Sequence, residues 1–458
     1  MTVRARRIAT LIFMLALVRP LLAQDGSTLA SAEGRPGQEP RATGLPPVLS
    51  WTFNFDAGIG SFGFFNSLYT NPHDEPSGDL SDNWQEGYVR PALSGIFRLS
   101  GGSTIAGTAS AVGERTYGGA PPLVGQDYSS FGPDDLWIAW RSGTSLPRLG
   151  EDGLSVTVGR APFELGHGFL VYDGAGEGGS RGGYWSNARK AFEFAAIGRM
   201  KTGAHVAETF YLDKDELPEV ETGSRLWGVN YELRPGEQST FGVTYLRGFA
   251  HRDVEPGRDG LNVFNLRAFT APIPKYGQWT LEFEYAAEHN GDALASHAWS
   301  LQNAYELASV PWSPRLSYRY ASFAGDDPDT RPDEAFDPLF LGFSDWGTWW
   351  QGEIAGEYFL SNSNLISHQV RVHAAPTARL GSGLIVYRFL ADHPAAYAPG
   401  LTTRNIGFEI NAYADWTIND NFTLSLVGGG ADPGEVVRQV SGRTANFALG
   451  MLYLTYKY

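Results

Sequence analysis

Hydrophobic and polar residues alternate with a period of two along most of the chain, beginning at Trp51. Residues 51–60 show the pattern clearly, and residues 279–288 and 408–416 repeat it. Successive side chains of an extended strand point to opposite faces, so each of these segments places its apolar groups on one side. Less regular versions recur over roughly 400 residues, and none repeats at helical spacing. The pattern predicts an all-β protein.

A soluble sandwich and a membrane barrel both contain such strands, and three features favour the barrel. The alternation continues for longer than one soluble all-β domain usually does. Trp51, Trp279 and Trp416 lie near segment ends, where barrel aromatics meet the membrane interface. The final strand ends on the aromatic Tyr458 and resembles the strand by which bacterial outer-membrane proteins reach their assembly machinery. We therefore predict a transmembrane antiparallel β-barrel in the bacterial outer membrane.

The number of strands is less clear than the fold class. About 19 segments can be marked, but a barrel with both ends in the periplasm needs an even number of strands. The doubtful stretch is 324–351, where Phe336 to Phe343 could form an additional strand. A strand of about 9–11 residues plus its connection allows 16 to 20 strands. We predict 18.

The N-terminus predicts a secreted protein. Arg4, Arg6 and Arg7 precede an apolar run that is too short to span a bilayer, as expected of a signal peptide. We assign residues 1–23 to the signal peptide, 24–47 to a periplasmic linker and 48–458 to the barrel. The alternative for residues 1–23 is an uncleaved membrane anchor. The alternative for residues 24–47 is an ordered plug.

The composition excludes several classes of protein. There is no Cys, which excludes disulfides, thiolate metal sites and a Cys nucleophile. The net charge of −15 becomes more negative when the signal peptide is removed, and it argues against nucleic-acid binding. HExxH does not occur, so no recognisable zinc hydrolase site of that kind is present. We predict that the protein is not an enzyme.

A barrel of this size leaves a lumen that wall side chains do not fill, so charged residues in the polar register are expected to line it. The basic candidates are Arg90, Arg98, Arg141, Arg199, Arg315, Arg319, Arg371 and Arg388. The acidic candidates are Glu193, Glu282, Glu284, Glu288, Glu353, Glu357 and Glu409. These residues either select solutes or pair across the lumen and brace the wall.

Arg160 does not fit the simple alternation. It shares parity with Leu154, Val156 and Val158, so a straight strand would direct it to lipid. Either the strand ends at Gly159, or a bulge redirects the side chain.

Two loop motifs suggest weaker possibilities. The glycines at 174, 176 and 179 match GxGxxG, but a nucleotide site needs a preceding strand and a following helix, and this segment reads as a loop. The acidic loop with Asp326, Asp327 and Asp329 could hold Ca²⁺ through oxygen ligands. A plain solvated loop is the simpler interpretation, and no other cofactor is expected.

Several motifs resemble the alginate export family of outer-membrane porins. They include Val158-Gly159-Arg160, the run from Trp185 through Arg189 to Phe192, and Phe336-Asp337-Pro338-Leu339-Phe340, followed by Trp346 to Glu353. The resemblance implies a monomeric 18-stranded barrel with an anion-selective constriction. The family's paired arginine motif carries over to Arg160 and Arg189.

The leading functional hypothesis is passive export of an acidic, alginate-like exopolysaccharide through an Arg-lined lumen. The alternative is a substrate-specific porin for uptake of oligosaccharides or other small solutes. A barrel enzyme or an adhesin is a third class, which no catalytic constellation supports. The expected partners are outer-membrane lipid, an anionic polysaccharide or oligosaccharide, the assembly machinery and a periplasmic secretion partner.

Overall fold

A computed structural model describes residues 49–67, 81–99, 101–119, 127–172, 174–273, 278–342, 351–356 and 360–458. The predicted signal peptide and periplasmic linker lie outside these residues. So do Glu357 and the motif residues Trp346 to Trp350.

The described residues form one 18-stranded antiparallel sheet. The strands are β1 Leu49–Phe65, β2 Asp82–Arg98, β3 Thr104–Gly118, β4 Tyr128–Arg141, β5 Leu154–Arg160, β6 Phe194–Thr202, β7 His205–Asp213, β8 Arg225–Gly236, β9 Ser239–Phe249, β10 Asn262–Thr270, β11 Trp279–His289, β12 Ala295–Glu306, β13 Arg315–Phe323, β14 Leu365–Thr377, β15 Leu380–Ala391, β16 Asn405–Thr417, β17 Phe422–Pro433 and β18 Phe447–Lys457.

Each strand pairs with its two neighbours in sequence, and β1 also pairs with β18, so the sheet closes into a barrel. At the seam, Phe55 and Tyr458 exchange two backbone hydrogen bonds of 3.0 Å. The predicted fold class and strand number are both confirmed. Recognition of the last strand by the assembly machinery stays a prediction.

The alternation in sequence corresponds to the two faces of the wall. On β1, Trp51, Phe53 and Ile59 point outward and are 69%, 46% and 61% exposed, whereas Phe62 and Phe64 point inward and are buried. The apolar face identified in the sequence is therefore the face that meets lipid.

The suspected additional strand does not form. Within the described part of the chain, Phe336 to Gly342 contributes only an isolated parallel bridge, between Phe340 and Val171. This stretch belongs to a long loop between β13 and β14.

Short connections lie at one end of the barrel and long ones at the other. Residues 203–204 and 378–379 are enough to join β6 to β7 and β14 to β15, whereas 161–193 and 324–364 are the long segments. In barrels of this type the short turns are periplasmic and the long loops extracellular. The predicted turns at 234–236 and 418–420 lie at the periplasmic end.

In the part of the chain that the structure describes, helical structure is limited to short pieces. These are 3₁₀ turns at Gly179–Arg181, Pro218–Val220 and Pro394–Ala396, a π-helical turn at Gly352–Gly356, and α1, Glu435–Ser441. Among the described residues, none of the helices is long and apolar enough to cross a bilayer.

Candidate functional site

Two long extracellular segments fold into the lumen. We call residues 161–193 the first lumen loop, and the described parts of 324–364 the second lumen loop. They pair with each other at the bridge between Val171 and Phe340, where the backbone N–H of Tyr172 donates to Phe340 O at 2.7 Å. The extracellular half of the lumen is thus filled by chain as well as by wall side chains.

Aromatic rings pack where these loops meet the wall. Phe169 of the first loop stacks on the inward-facing Phe323 with ring centroids 5.6 Å apart, and Phe336 of the second loop lies 5.9 Å from Phe323. All three are at most 1% exposed. A fully buried Phe side chain contributes roughly 1.5–3 kcal/mol, so this cluster holds both loops in place and excludes water.

Wall carboxylates hold the backbone of the first lumen loop. Glu86 accepts the N–H groups of residues 185–186 at 2.8 and 2.7 Å, and Asp134 accepts those of residues 190–191 at 3.0 and 3.1 Å. Glu114, on the strand between them, accepts the intervening N–H of Ala188 at 3.3 Å. Three neighbouring strands therefore supply the acceptors that the loop backbone lacks when it leaves water.

Arg189 lies in the same contact rather than at an open pore surface. Its guanidinium donates to Glu114 at 2.5 Å and lies 3.4 Å from Glu177, and its side chain is 4% exposed. Burial and the nearby Glu114 raise the pKa of Glu177 well above its usual value, while Arg189 opposes this shift. The residue braces the loop against the wall.

Arg160 is redirected at the end of β5. Gly159 has φ of 126°, a left-handed conformation that L side chains rarely adopt. The Arg160 side chain consequently leaves the lipid face, donates from Nε to the carbonyl of Asp134 at 3.2 Å and pairs with Asp215 at 2.5 Å. β5 ends at Arg160, one residue beyond the predicted end, and its pairing with β4 shows no bulge, so the redirection follows from the conformation of Gly159.

Arg90 faces inward as predicted, but it is surrounded by acids that the sequence pattern does not place there. It pairs with Asp134 at 2.7 Å, with Asp56 at 3.4 Å and with Asp135. A register shift between β3 and β4 lets both consecutive aspartates point inward. Strict alternation would have sent one of them to lipid.

Arg267 on β10 is an inward-facing arginine that the sequence analysis did not name. Its side chain is fully buried and pairs with Glu232 at 2.7 Å, with further hydrogen bonds to Asn230 and Thr244. The alternation in the sequence could have placed Arg267 in the lumen. Phe264 and Leu266 face lipid, so Arg267, of the opposite parity, faces inward.

A basic wall faces the periplasmic half of the lumen. Arg315 and His373 are direct cross-strand partners on β13 and β14, and Arg371 lies one pair further toward the middle. With Gln302 and Ser317 these residues line an open recess of about 70 Å³. Arg315 donates to Thr280 at 2.8 Å and forms no ion pair within the described residues. Arg319 follows on the same face of β13, nearer the membrane centre and 4% exposed.

Tyr413 positions this wall from two strands away. Its hydroxyl accepts hydrogen bonds from Arg371 Nε and Nη2 at 3.0 and 2.6 Å and lies 2.9 Å from Nδ1 of His373. The ring reaches across β15 at Gly383, where a Cβ would collide with the ring of Tyr413. Glycine at this position therefore permits the contact.

No protein-family model matches the sequence, and no curated protein matches it. Solved structures do match. Pseudomonas aeruginosa OpdL superposes with a TM-score of 0.56 and 10% identity, and Pseudomonas aeruginosa OccK7 (OpdD) with 0.55 and 9%; each alignment covers 89% of this chain and 98% of that one. Pseudomonas aeruginosa OpdK, solved with vanillate, gives 0.51 and 11% over the same shares. These neighbours are outer-membrane porins.

The chain has the fold of an outer-membrane porin. The predicted outer-membrane barrel is confirmed at the level of the fold, and its neighbours are channels rather than enzymes.

The prediction that Arg388 lines the barrel lumen is wrong. On β15 the inward positions are odd-numbered, with Ile385 and Phe389 buried, whereas Arg388 is exposed on the outer face opposite His368 and Phe408. The prediction assumed that an arginine in the membrane must avoid lipid. That cost applies near the bilayer centre, whereas Arg388 lies three residues from the extracellular end of its strand.

The other predicted arginines of the barrel wall lie in the inward register. Arg98 and Arg141 lie at the periplasmic ends of β2 and β4, and Arg199 pairs with Glu208 at 3.3 Å. Their part in transport stays a prediction.

The predicted acids occupy three different environments. Glu193 is exposed just before β6, and Glu282 contacts His167 of the first lumen loop at 3.3 Å. Glu353, in the second lumen loop, accepts the indole N–H of Trp185 at 3.1 Å, and burial raises its pKa to about 7. Glu353 therefore connects the two lumen loops.

The possible calcium loop stays a prediction. Asp326 accepts the backbone N–H of Glu334 at 3.2 Å, and Asp327 accepts that of Asp329 at 3.1 Å, so these carboxylates serve the loop's own backbone. Across the described ranges, no three His, Cys, Asp or Glu side chains are grouped to hold a metal ion. The glycine-rich segment after Gly174 is a loop with a single 3₁₀ turn rather than the start of a longer helix.

Proposed function

We propose that this barrel is a substrate-specific porin that admits small solutes carrying an anionic group. The observation that carries the proposal is the basic wall, in which Arg315, Arg371 and His373 surround an open recess inside the lumen. The planar guanidinium group matches the geometry of a carboxylate and binds it through two parallel hydrogen bonds. The recess, about 70 Å³ in volume and open to the lumen, has room for such a group.

The filled extracellular half of the lumen also favours small solutes. The two lumen loops pack on Phe323 and on each other, and this narrows the extracellular half of the lumen. Among the solved structures with this fold, OpdK was solved with vanillate, an aromatic carboxylate.

Export of an alginate-like polysaccharide is the weaker proposal. It rests on the motif resemblance, including Arg160 and Arg189, but Arg189 holds the first lumen loop against the wall and Arg160 is paired with Asp215. Membership of the alginate export family and a periplasmic secretion partner stay predictions.

Single-channel recording in a planar bilayer tests the proposal. We expect an anion-selective reversal potential in a KCl gradient and transient current block by benzoate, with no block by benzamide. Arg315→Gln with Arg371→Gln should weaken both effects, whereas Arg148→Gln, which removes an exposed charge from a periplasmic turn, should change neither. Block by alginate oligomers and indifference to benzoate would overturn the proposal in favour of export.

A further inference from the structure

The outward-facing arginines of the described strands all lie at the extracellular end of the barrel. They are Arg115, Arg225, Arg247 and Arg388, and each lies within three residues of the strand end that carries the long loops. At the periplasmic end, the Lys and Arg residues of the described strands are in the inward register; they are Arg98, Arg141, Arg199, Lys201, Arg234, Arg315 and Lys457. The outer surface is therefore basic at one membrane interface and not at the other.

These arginines lie at the depth of an aromatic girdle. Outward-facing Trp227, Tyr245, Phe264, Trp299 and Tyr320 occupy the same few positions at the extracellular ends of their strands, and Tyr245 lies 5.1 Å from Phe264 between ring centroids. Such girdles mark the membrane interface, where lipid headgroups begin. An arginine at this depth costs about 0–1 kcal/mol instead of the 2–4 kcal/mol of the bilayer centre, and its guanidinium reaches headgroup atoms.

The arrangement around Arg388 is that of an incomplete anion site. Arg388 is exposed and makes no hydrogen bond or ion pair with another described residue. Nδ1 of its direct cross-strand neighbour His368 lies 2.8 Å from the Tyr318 hydroxyl. When that hydroxyl donates to Nδ1, the imidazole carries its proton at Nε2, so His368 and Arg388 both present donors on the lipid side.

The acids nearest to Arg388 are already paired. Asp392, above it in the loop after β15, pairs with Arg404 at 3.2 Å. Asp432, two strands away on the outer face, pairs with Arg438 at 3.4 Å. The chain as a whole carries a net charge of −15, which would repel an anionic membrane surface unless local cations attract it.

We propose that Arg388 and His368 bind the phosphate of a lipid headgroup in the outer leaflet, and that Arg115 marks a second site of the same kind. The outer leaflet of a bacterial outer membrane consists largely of phosphorylated glycolipid, which supplies phosphate at this depth. Arginine binds phosphate through charge-assisted, often bidentate hydrogen bonds. Arg115 also faces lipid three residues from its strand end, beside the exposed Tyr117 and Phe131.

Native mass spectrometry of the full chain in non-ionic detergent tests this site. The probes are bis-phosphorylated lipid A, the same glycolipid without phosphates, and inorganic phosphate. We expect retention of up to two lipid A molecules, with Arg388→Gln and Arg115→Gln each lowering the fraction of protein that carries the second lipid about fivefold, in line with the attraction of one surface arginine to anionic lipid. Arg388→Lys should retain part of the binding because it keeps the charge. Arg148→Gln, at the periplasmic end, should leave binding unchanged.

Three results would overturn the proposal. The dephosphorylated glycolipid could bind as well as lipid A, or folded Arg388→Gln, identified by its heat-dependent migration on a gel, could bind lipid A like the unaltered protein. Full displacement of lipid A by an equal concentration of inorganic phosphate would mean that the site takes a free anion rather than a lipid.

Discussion

The Arg189 guanidinium donates a hydrogen bond of 2.5 Å to the Glu114 carboxylate, and the two side chains are 4% and 0% exposed. Arg189 belongs to the first lumen loop and Glu114 to β3, so this contact ties the loop to the wall. Such a pair matters less for the energy it adds than for the charge that would remain buried if either partner were lost.

Replacement of Arg189 by Met should lower the free energy of unfolding by about 3–5 kcal/mol, because Glu114 and Glu177 would be left without their cation. Denaturant unfolding of the reconstituted barrel, followed by tryptophan fluorescence, measures the effect. Arg148→Met is the control and should change the free energy by less than about 0.5 kcal/mol. The double variant Arg189→Met with Glu114→Leu should recover much of the loss, and equal losses in single and double variants would contradict this account.

Gly159→Ala should displace Arg160 from Asp215. A Cβ at this position would collide with the carbonyl oxygen of Leu136, and φ of 126° is strained for alanine. We expect faster protease cleavage in the first lumen loop, because one of its neighbouring anchors is lost. Gly132→Ala on the adjacent strand is the control, since its Cβ would meet nothing within 4 Å. Equal cleavage rates in the two variants would contradict the role given to Gly159.

Tyr413→Phe should shorten the current block by benzoate several-fold. The variant keeps the ring but removes the hydroxyl that holds Arg371 at 3.0 and 2.6 Å, and a hydrogen bond to a charged group contributes about 1.5–3 kcal/mol. Single-channel dwell times measure this change. Tyr318→Phe, which removes a hydroxyl from the outer face, should leave the block unchanged. Dwell times unaffected in both variants would exclude Tyr413 as a positioning residue.

The anchoring of the first lumen loop at His167 should weaken as the pH rises. Burial lowers the pKa of His167. Its hydrogen bond to Glu282 and the charges of Glu284 and Glu164 raise the pKa by more than burial lowers it, so the net shift is upward. The stabilisation from a histidine with a raised pKa is fully present below the pKa of about 6.5 that the residue has in the unfolded chain. It is lost as the pH rises through the pKa that the residue has in the folded protein. Thermal unfolding midpoints between about pH 5.5 and 8.5 should show this fall, and His167→Gln should reduce it.

The stability of the fold should also fall with rising pH because of Glu353. Burial raises its pKa to about 7, so the folded state holds a proton that the unfolded chain releases near its ordinary value of about 4.3. Stability is therefore lost as the pH rises between these values. Glu353→Gln should flatten that part of the profile, and a profile unchanged by this substitution would show that Glu353 does not titrate in this range.

The lipid face was predictable from the sequence because it depends on local geometry. Side chains alternate along any strand, so the apolar positions of residues 51–60, 279–288 and 408–416 identify the outer surface without knowledge of the strand partners. The same reasoning identified Arg315, Arg319 and Arg371 as inward-facing. The reasoning failed for Arg388, which has the same parity as the outward-facing Leu384. The prediction set this parity aside because an arginine that faces lipid is costly, but that cost depends on how deep the residue lies in the membrane, and parity does not reveal depth.

The sequence by itself determined the all-β class, the barrel and the lipid face, since these follow from a period of two and from the aromatic ends of strands. Only the tertiary structure decided which charges remain open in the lumen. The backbone distortions at Asp134-Asp135 and Gly159 change the direction of side chains, and no periodicity reveals them. Glu86 meets Trp185 across 99 residues of chain because the first lumen loop folds inward, and such contacts depend on the closed barrel rather than on neighbouring residues.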